Sequence, residues 1–598
     1  MSADHVWDLS VLYRSDNDPQ IEKDLTEVTR VNAAFAAKWR GRTDYLTDPT
    51  GLLEALEEKE EIRRRYGSSG KPGYYFSLRS SQDLNDPSLR AKAALVSDVG
   101  KKNSNTTRFF SLALGKIPQA QQKKFLAAPE LKKYHQYLRQ LFLHSRYHLS
   151  ESEEKIITLL GGPAWGRWSR MLTGFLAKEE REVLLEDGSR TTKNFSELSP
   201  LMKSQDKAVR DSAGAAANDI LLANVEVAEN ELNAILETKK VDDELRGYIR
   251  PDQPRHLADM VDSQVVDTLV ETVSARFAIA ERFYQLKTKL LGLKKLEYHE
   301  RGVEYGDLGG KFSYEQAVQI VDRALSGLDE EFGSIFRMFV AKQQIDVYPR
   351  SGKRGGAFCT FDRVTLPTYI MLNYTDTLQD VTTLAHEVGH GINDELIRQH
   401  QPPVYAGTPL STAEVASTFM EDFVLSELSK KGDAERQLAI MVMKLNDDVS
   451  TIMRQIAAYK FERELHAEYR QRGYLSKKEI GEIFQKHMKA YMGSSVEQSP
   501  GSENWWVGWH HFRRPFYVYS YASGLLISKA LQRSVKADHT FVTKVKDFLS
   551  AGLSDTPKNI FAKLGIDIED AAFWNFGLDE IEAALDQAEK LAIKLGKI

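Results

Sequence analysis

The sequence contains one cysteine, Cys359, in 598 residues. A single thiol excludes an internal disulfide framework and every Cys-rich zinc module. Any metal site must therefore come from the 14 histidines and the carboxylates. Charge of one sign is also lacking: 80 Lys+Arg stand against 85 Asp+Glu, a formal net charge of −5. That balance gives no electrostatic footprint for nucleic acid or an anionic membrane, so neither is expected as a partner. No apolar run approaches 18 residues, which excludes a spanning helix. Asp4 and Asp8 stand where a signal peptide needs a basic end and then an apolar run. These absences predict a soluble cytoplasmic protein, in which the Asn-x-Ser/Thr triplets at Asn105, Asn194 and Asn373 are chance matches.

What is present is mainly helical pattern. The length allows about four domain-sized units, or one large body with appendages. Gln20–Lys38, Pro200–Lys239, Gln264–Leu291 and Ala434–Arg472 carry apolar residues at three-to-four spacing among good helix formers. Capping boxes mark helix starts at Ser150 with Glu153, Ser313 with Gln316 and Ser476 with Glu479. Two regions depart from this. Glu182–Leu185 and Arg190–Lys193 flank Asp187-Gly188, which predicts a small hairpin. Ile345–Tyr374 holds three short strand candidates, IDVYP, GAFCTF and TYIMLNY. Gly67–Gly73 looks superficially like a phosphate loop, but its spacing is wrong and Pro72 follows the lysine, so a flexible surface loop is expected.

Residues 386–390 read His-Glu-Val-Gly-His. Thr377 and Asp380 form a capping box ahead of them, and Val381, Leu384, Val388 and Ile392 supply the stripe that anchors a helix. His386 and His390 then share a face, and two imidazoles one turn apart can reach one tetrahedral zinc ion. Glu387 lies one residue further round, placed to take a proton from a zinc-activated water and pass it to a leaving amine. Ala385, Gly389 and Gly391 are small and let neighbouring elements come close. Asn393 and Leu396 exclude the metzincin continuation. Downstream, Ser411-Thr-Ala-Glu414 opens a second helix, where Glu414 is either a third metal ligand or half of another capping box. Glu421, seven residues on, either orients a ligand histidine or is a solvated helix carboxylate.

HEVGH followed by TPLSTAEVASTFME resembles the thimet oligopeptidase family, specifically its bacterial oligoendopeptidase F branch. GKRGGAFC at 352–359, LPTYIMLNY before the motif helix and WHHFRRPFYVYSYASG at 509–524 are similar to that branch as well. The resemblance runs from about residue 190 to the end, and more loosely before it. It implies a mostly α-helical zincin-type peptidase with a deep channel and a small β-sheet beside the zinc helix. It also implies one Zn²⁺ held by His386, His390 and Glu414, with Glu387 as base and oligopeptides as substrates. Residues 1–195 then form the N-terminal helical region and 196–598 the catalytic domain.

The family's His-then-two-Tyr arrangement carries over to His511, Tyr517 and Tyr521, which would face the developing oxyanion. A register shifted by one leaves His510 and Tyr519 open. Pro515 suits the first turn of a helix over Phe516–Leu526. Trp505, Trp506 and Trp509 are read as core or channel wall. Strand Tyr369–Tyr374 is the expected edge for pairing with an extended peptide, with Gly355 and Gly356 allowing close approach. Cys359 reads as a packing residue, since no histidine partner can be named. The predicted activity is hydrolysis of internal bonds in short peptides. Two rivals remain: a zinc carboxypeptidase that would use Arg513 or Arg514 for the terminal carboxylate, and a non-catalytic peptide binder, against which Glu387 argues.

Overall fold

In the computed structural model, residues 5–306, 308, 310–429 and 433–598 are described; Asp4 of the amino-terminal reading lies outside them. Helices dominate the described residues, and the sheets among them are small. None of these helices is long and apolar enough to cross a membrane.

Helix α1 spans Gln20–Trp39, as the spacing predicts. The expected loop at Gly67–Gly73 is a correction, because helix α2 (Gly70–Gln82) already begins at Gly70. A proline is tolerated in a first helical turn, where backbone N–H groups lack partners anyway. Tyr74, Tyr75, Phe76 and Leu78 then hold the helix by packing with Trp7 and Tyr13. The hairpin forms as read, with β1 (Glu180–Leu184) antiparallel to β2 (Arg190–Asn194).

Three stretches read as continuous helices are each divided. Phe195–Leu201 is a separate helix ahead of α3 (Lys207–Arg246), and Ser263–Ala275 is separate from Ala278–Leu290. Helices α4 (Leu378–His400) and α5 (Leu410–Ser429) follow. Ala434–Arg472 then divides at Ile452 into α6 (Ala434–Thr451) and α7 (Met453–Arg472). Both halves bury apolar faces in one core, so the spacing persists across the bend and periodicity cannot register it. The chain ends with α8 (Tyr519–Ala537) and α9 (Ala571–Lys594).

The second sheet contains β3 (Ile345–Asp346), β4 (Phe358–Thr360) and β5 (Tyr369–Met371) in the order β3-β5-β4. β5 pairs parallel to β3 and antiparallel to β4. This corrects the expected peptide-pairing edge: both sides of β5 are taken, and the strand with a free side next to α4 is β4.

One apolar core runs from Leu172 to Ala592, and α5 lies in it between α4 and α8. Two smaller cores hold the amino-terminal helices; one of them includes Tyr369 and Met371 and so joins those helices to the sheet beneath α4. Asp346 in β3 is fully buried against Arg350 at 2.7 Å and Lys353 at 2.8 Å. Burial pushes its pKa up, but hydrogen bonds from Arg350 and Lys353 outweigh this and hold it below the ordinary aspartate value. Its stabilising contribution is therefore present above that ordinary value and is lost as pH falls through the lower folded-state pKa. Asp346→Asn should cost about 3–5 kcal/mol by leaving Lys353 buried without its counter-charge. A lowered denaturant midpoint at neutral pH checks this, and an unchanged midpoint refutes it.

Candidate active site and metal centre

Helix α4 starts as its sequence dictates. Thr377 Oγ1 accepts from the Asp380 backbone N–H at 3.2 Å, and the Asp380 carboxylate accepts from the Thr377 N–H at 2.9 Å. Val381, Leu384, Val388 and Ile392 are fully buried, so the helix cannot rotate without exposing them. That fixes where its other face points. His386 and His390 lie there with ring centroids 5.1 Å apart.

Helix α5 brings the third group. Glu414 Oε2 lies 3.3 Å from His386 Nε2 and 3.6 Å from His390 Nε2. The capping-box reading of Ser411 and Glu414 does not hold: Ser411 lies inside the helix and its buried hydroxyl has no partner. The approach depends on two glycines. A Cβ on Gly389 would lie 2.7 Å from the Ala416 carbonyl oxygen, and one on Gly524 would lie 2.7 Å from the Glu414 Cβ. Glu421 Oε2 sits 3.0 Å from His386 Nδ1. A carboxylate there holds a proton on Nδ1 and leaves Nε2 as the nitrogen facing Glu414.

The trio suits a metal ion. Its ligand atoms lie within 4.8 Å of one another. Tetrahedral zinc with bonds of about 2.0–2.1 Å separates neighbouring ligand atoms by roughly 3.3–3.4 Å, close to the spacings here. The electrostatics also ask for positive charge. Burial pulls the His386 pKa down, yet hydrogen bonds to Glu414 and Glu421 carry it well above ordinary. Burial pushes Glu414 up, yet its bonds to His386 and His390 take it well below the usual range. A second grouping, Asp211, His299 and Glu300, lacks this character. There Arg210 at 2.9 Å and Lys207 at 3.1 Å already neutralise Glu300.

Glu387 is 7% exposed and faces the same cavity. Burial raises its pKa; the two imidazoles and the backbone of Cys359 in β4 oppose the rise. Sequence reading missed Asp394, one turn beyond His390 and on the same cavity wall. Burial pushes its carboxyl up to about 7, and it accepts from Cys359 Sγ at 3.6 Å. Its i+4 spacing from His390 was the available signal. The Cys359 thiol is pushed well up by burial, then by Asp394 and Glu387, so it is a poor nucleophile and fits the packing reading.

The candidate aromatic residues have different surroundings. Helix α8 begins only at Tyr519, so the expected helix over Phe516–Leu526 is corrected at its start. Phe516 adopts φ of 62°, a left-handed conformation that breaks the helix, and its N–H donates to Glu462 at 2.8 Å. Tyr517 therefore projects from a loop, yet its ring still meets Tyr521 at 5.4 Å and His511 at 5.4 Å. Tyr519 is buried and donates to Asp259 Oδ2 at 2.6 Å, while His510 is exposed.

These contacts have a direction. An indole N–H can only donate, so Trp509 Nε1 at 3.1 Å makes His511 Nδ1 an acceptor. The imidazole is neutral, its pKa lowered to about 4 by burial, then by His510 and Arg454. Its proton is thus on Nε2, donated to the Tyr521 oxygen at 3.1 Å. Burial raises the pKa of both Tyr521 and Tyr517, which share a hydrogen bond between their hydroxyls. Tyr517 and Tyr521 both line the cavity. Trp509 and Trp506 are buried core residues, one of the two readings expected for them, and Trp509 also donates its N–H to His511. Arg513 is buried against Glu231 at 2.6 Å and donates to the Trp506 and Trp509 carbonyls; Arg514 is exposed.

His386, Glu387, His390, Glu414, Tyr517 and Tyr521 line a cavity of about 840 Å³. Gly389→Ala should push α5 off α4, lowering stability by about 1–3 kcal/mol. Metal retained after dialysis should fall with it. Full retention, read by elemental analysis, would refute the role given to that contact.

Comparison with known proteins follows the same lines. The Peptidase family M3 model matches residues 200–579, and an Oligopeptidase F model matches 114–173. A plasmid-encoded oligoendopeptidase F of Lactococcus lactis subsp. cremoris is 25% identical, over 98% of this chain and 97% of its own length. Oligopeptidase PepF of Bacillus subtilis is 24% identical, over 100% and 88%. The fold matches that of a structure from Chlamydophila abortus with a TM-score of 0.81 at 22% identity, covering 99% of both chains. It also matches oligoendopeptidase-F from Enterococcus faecium with a TM-score of 0.73 at 20% identity, covering 96% of this chain and 99% of that one. The chain belongs to peptidase family M3.

Proposed function

We propose that this peptidase is a zinc-dependent endopeptidase acting on short oligopeptides. The observation carrying this reading is one cavity lined by the His386–His390–Glu414 trio, by Glu387 beside it and by Tyr517 and Tyr521. Residues 196–598 would form the catalytic domain, with 1–195 covering it.

The trio would hold zinc, which when bound supplies Lewis-acid polarisation of the scissile carbonyl and makes water more acidic. The chain's own groups do the rest. The free side of β4 would pair with an extended peptide and hold its backbone whatever its side chains. Glu387 accepts the proton of the attacking water on its carboxylate and returns it to the amide nitrogen as the C–N bond breaks. Its raised pKa suits it to carry that proton briefly. Tyr517 donates to the carbonyl oxygen as that oxygen gains charge, with Tyr521, bonded to His511, packed against it. Glu421 orients His386 from behind. The carboxypeptidase rival is weakened, since Arg513 is taken by Glu231 and Arg514 stands exposed.

A peptide blocked at both ends should be cut internally; resistance of blocked peptides, with removal of free C-terminal residues, would favour the rival. Glu387→Gln should retain metal and lose about 10²–10⁴ in kcat. Glu414→Ala should lose metal, and unchanged content would reject it as a ligand. Trp509→Phe frees the His511 tautomer, so kcat should fall about tenfold, the equivalent of one hydrogen bond, with KM little changed. The His511 pKa should rise from about 4 in the same variant, because the bond to the neutral form is gone. An NMR titration reads it, and an unmoved pKa would break the relay.

A further inference from the structure

Two arginines near the aromatic wall have no counter-charge beside them. Arg454 stands in the first turn of α7, three residues after Thr451, which lines the catalytic cavity. Its guanidinium lies over the Trp509 ring, 4.1 Å from the centroid. Among the described residues no carboxylate pairs with it, and its buried Nε has no hydrogen-bond partner. Arg301, in the turn Tyr298–Gly302, is placed alike: its guanidinium lies 4.2 Å from the Tyr298 centroid and 4.4 Å from that of Trp505. It donates to the Tyr298 carbonyl at 2.6 Å and likewise pairs with no carboxylate among the described residues.

The two belong to one cluster. Tyr298 and Trp509 pack on the same ring, Phe484, with centroids at 6.5 and 6.2 Å. Burial, then the charge of Arg301, lowers the Arg454 pKa; Tyr491, Tyr298 and Tyr284 act on it next, and no carboxylate stands among them. Tyr298 is 1% exposed, and its hydroxyl is also without a partner. Buried donors are nearly always satisfied, so orphans gathered around two like charges mark a ligand site. Water would satisfy the donors and leave both charges uncompensated. An anion does both. Aromatic walls and only two cations suit a weakly hydrated ion of single charge, a halide, over a multiply charged oxyanion.

We propose that Arg301 and Arg454 bind a small monovalent anion, chloride in ordinary solution, with the Tyr298 hydroxyl as a further donor. The site lies one ring from the catalytic wall. Arg454 covers the Trp509 indole, whose N–H donates to His511 at 3.1 Å. Bound chloride therefore sets the charge behind that imidazole.

A ligand of the folded state stabilises it by mass action, so binding is read without turnover and independently of the endopeptidase reading. In gluconate buffer of constant ionic strength, the thermal midpoint of the full chain should rise saturably with sodium chloride, by about 2 °C at a hundredfold excess over Kd. Sodium bromide should act alike, and crystals grown with it should show anomalous scattering between the two guanidinium groups. Arg454→Met and Arg301→Met should each abolish the rise. Both variants should fold, since an apolar side chain in place of a buried unpaired cation removes a desolvation cost. A flat midpoint in the wild type, a full response in Arg454→Met, or bromide found only elsewhere overturns the proposal. So does displacement of chloride by peptides ending as acids but not as amides, which would assign the guanidinium pair to a substrate carboxylate.

Discussion

The contact between α4 and α5 at Gly389 and Ala416 is the constraint on which the site depends. Two imidazoles on one helix supply only two ligand positions. A third needs a carboxylate from another backbone brought almost to van der Waals contact, and any side chain at 389 would prevent it. Gly524 repeats the arrangement on the opposite side of α5, so Glu414 is held between two surfaces without Cβ atoms. The buried stripe of α4 and the shared core of α4, α5 and α8 keep that sandwich in register. Close packing is stiff at this scale, which gives the site its pre-organisation.

From that contact the rest of the cavity follows. Helix α8 has to lie against α5, and so Tyr521 comes to face Glu414 across the open space. The left-handed residue Phe516 then delays the start of α8 and turns Tyr517 inward. Trp509 fixes the imidazole tautomer, the imidazole donates to Tyr521, and Tyr521 packs against Tyr517. Each group in this chain is buried or half-buried, where a misdirected proton would cost more than in water. On the other wall, the backbone of Cys359 reaches Glu387 from the edge strand, so the strand suited to hold a peptide also touches the proposed base.

Much of the fold was legible. The Thr377 box, the β-turn at Asp187-Gly188 and the three capping boxes are local chemistry, complete within a few residues, and each forms as read. What misled was also local. Gly67–Gly73 has loop composition, but the aromatic residues after it bury their face against Trp7 and Tyr13, and tertiary packing overrides the propensity. Strand order misled for a related reason: β5 has an edge-like sequence, and only the pairing shows β3 and β4 on its two sides. Asp394 went unread because a carboxylate on a helix is usually solvated, and nothing in the sequence says that the space around it is closed.

The sequence by itself determined the chemistry available: one thiol, a helix with two histidines a turn apart, and a glutamate between them. It also determined the family, through motifs whose order and spacing survive at about a quarter identity. Only the tertiary structure decided which groups meet. It brought Glu414 to the imidazoles, Tyr521 to His511 and Tyr519 to Asp259. The physical reason is distance along the chain. Caps and stripes are fixed by neighbours three or four residues away, whereas ligand trios and cavity walls arise where helices far apart in sequence are packed to within a few ångströms.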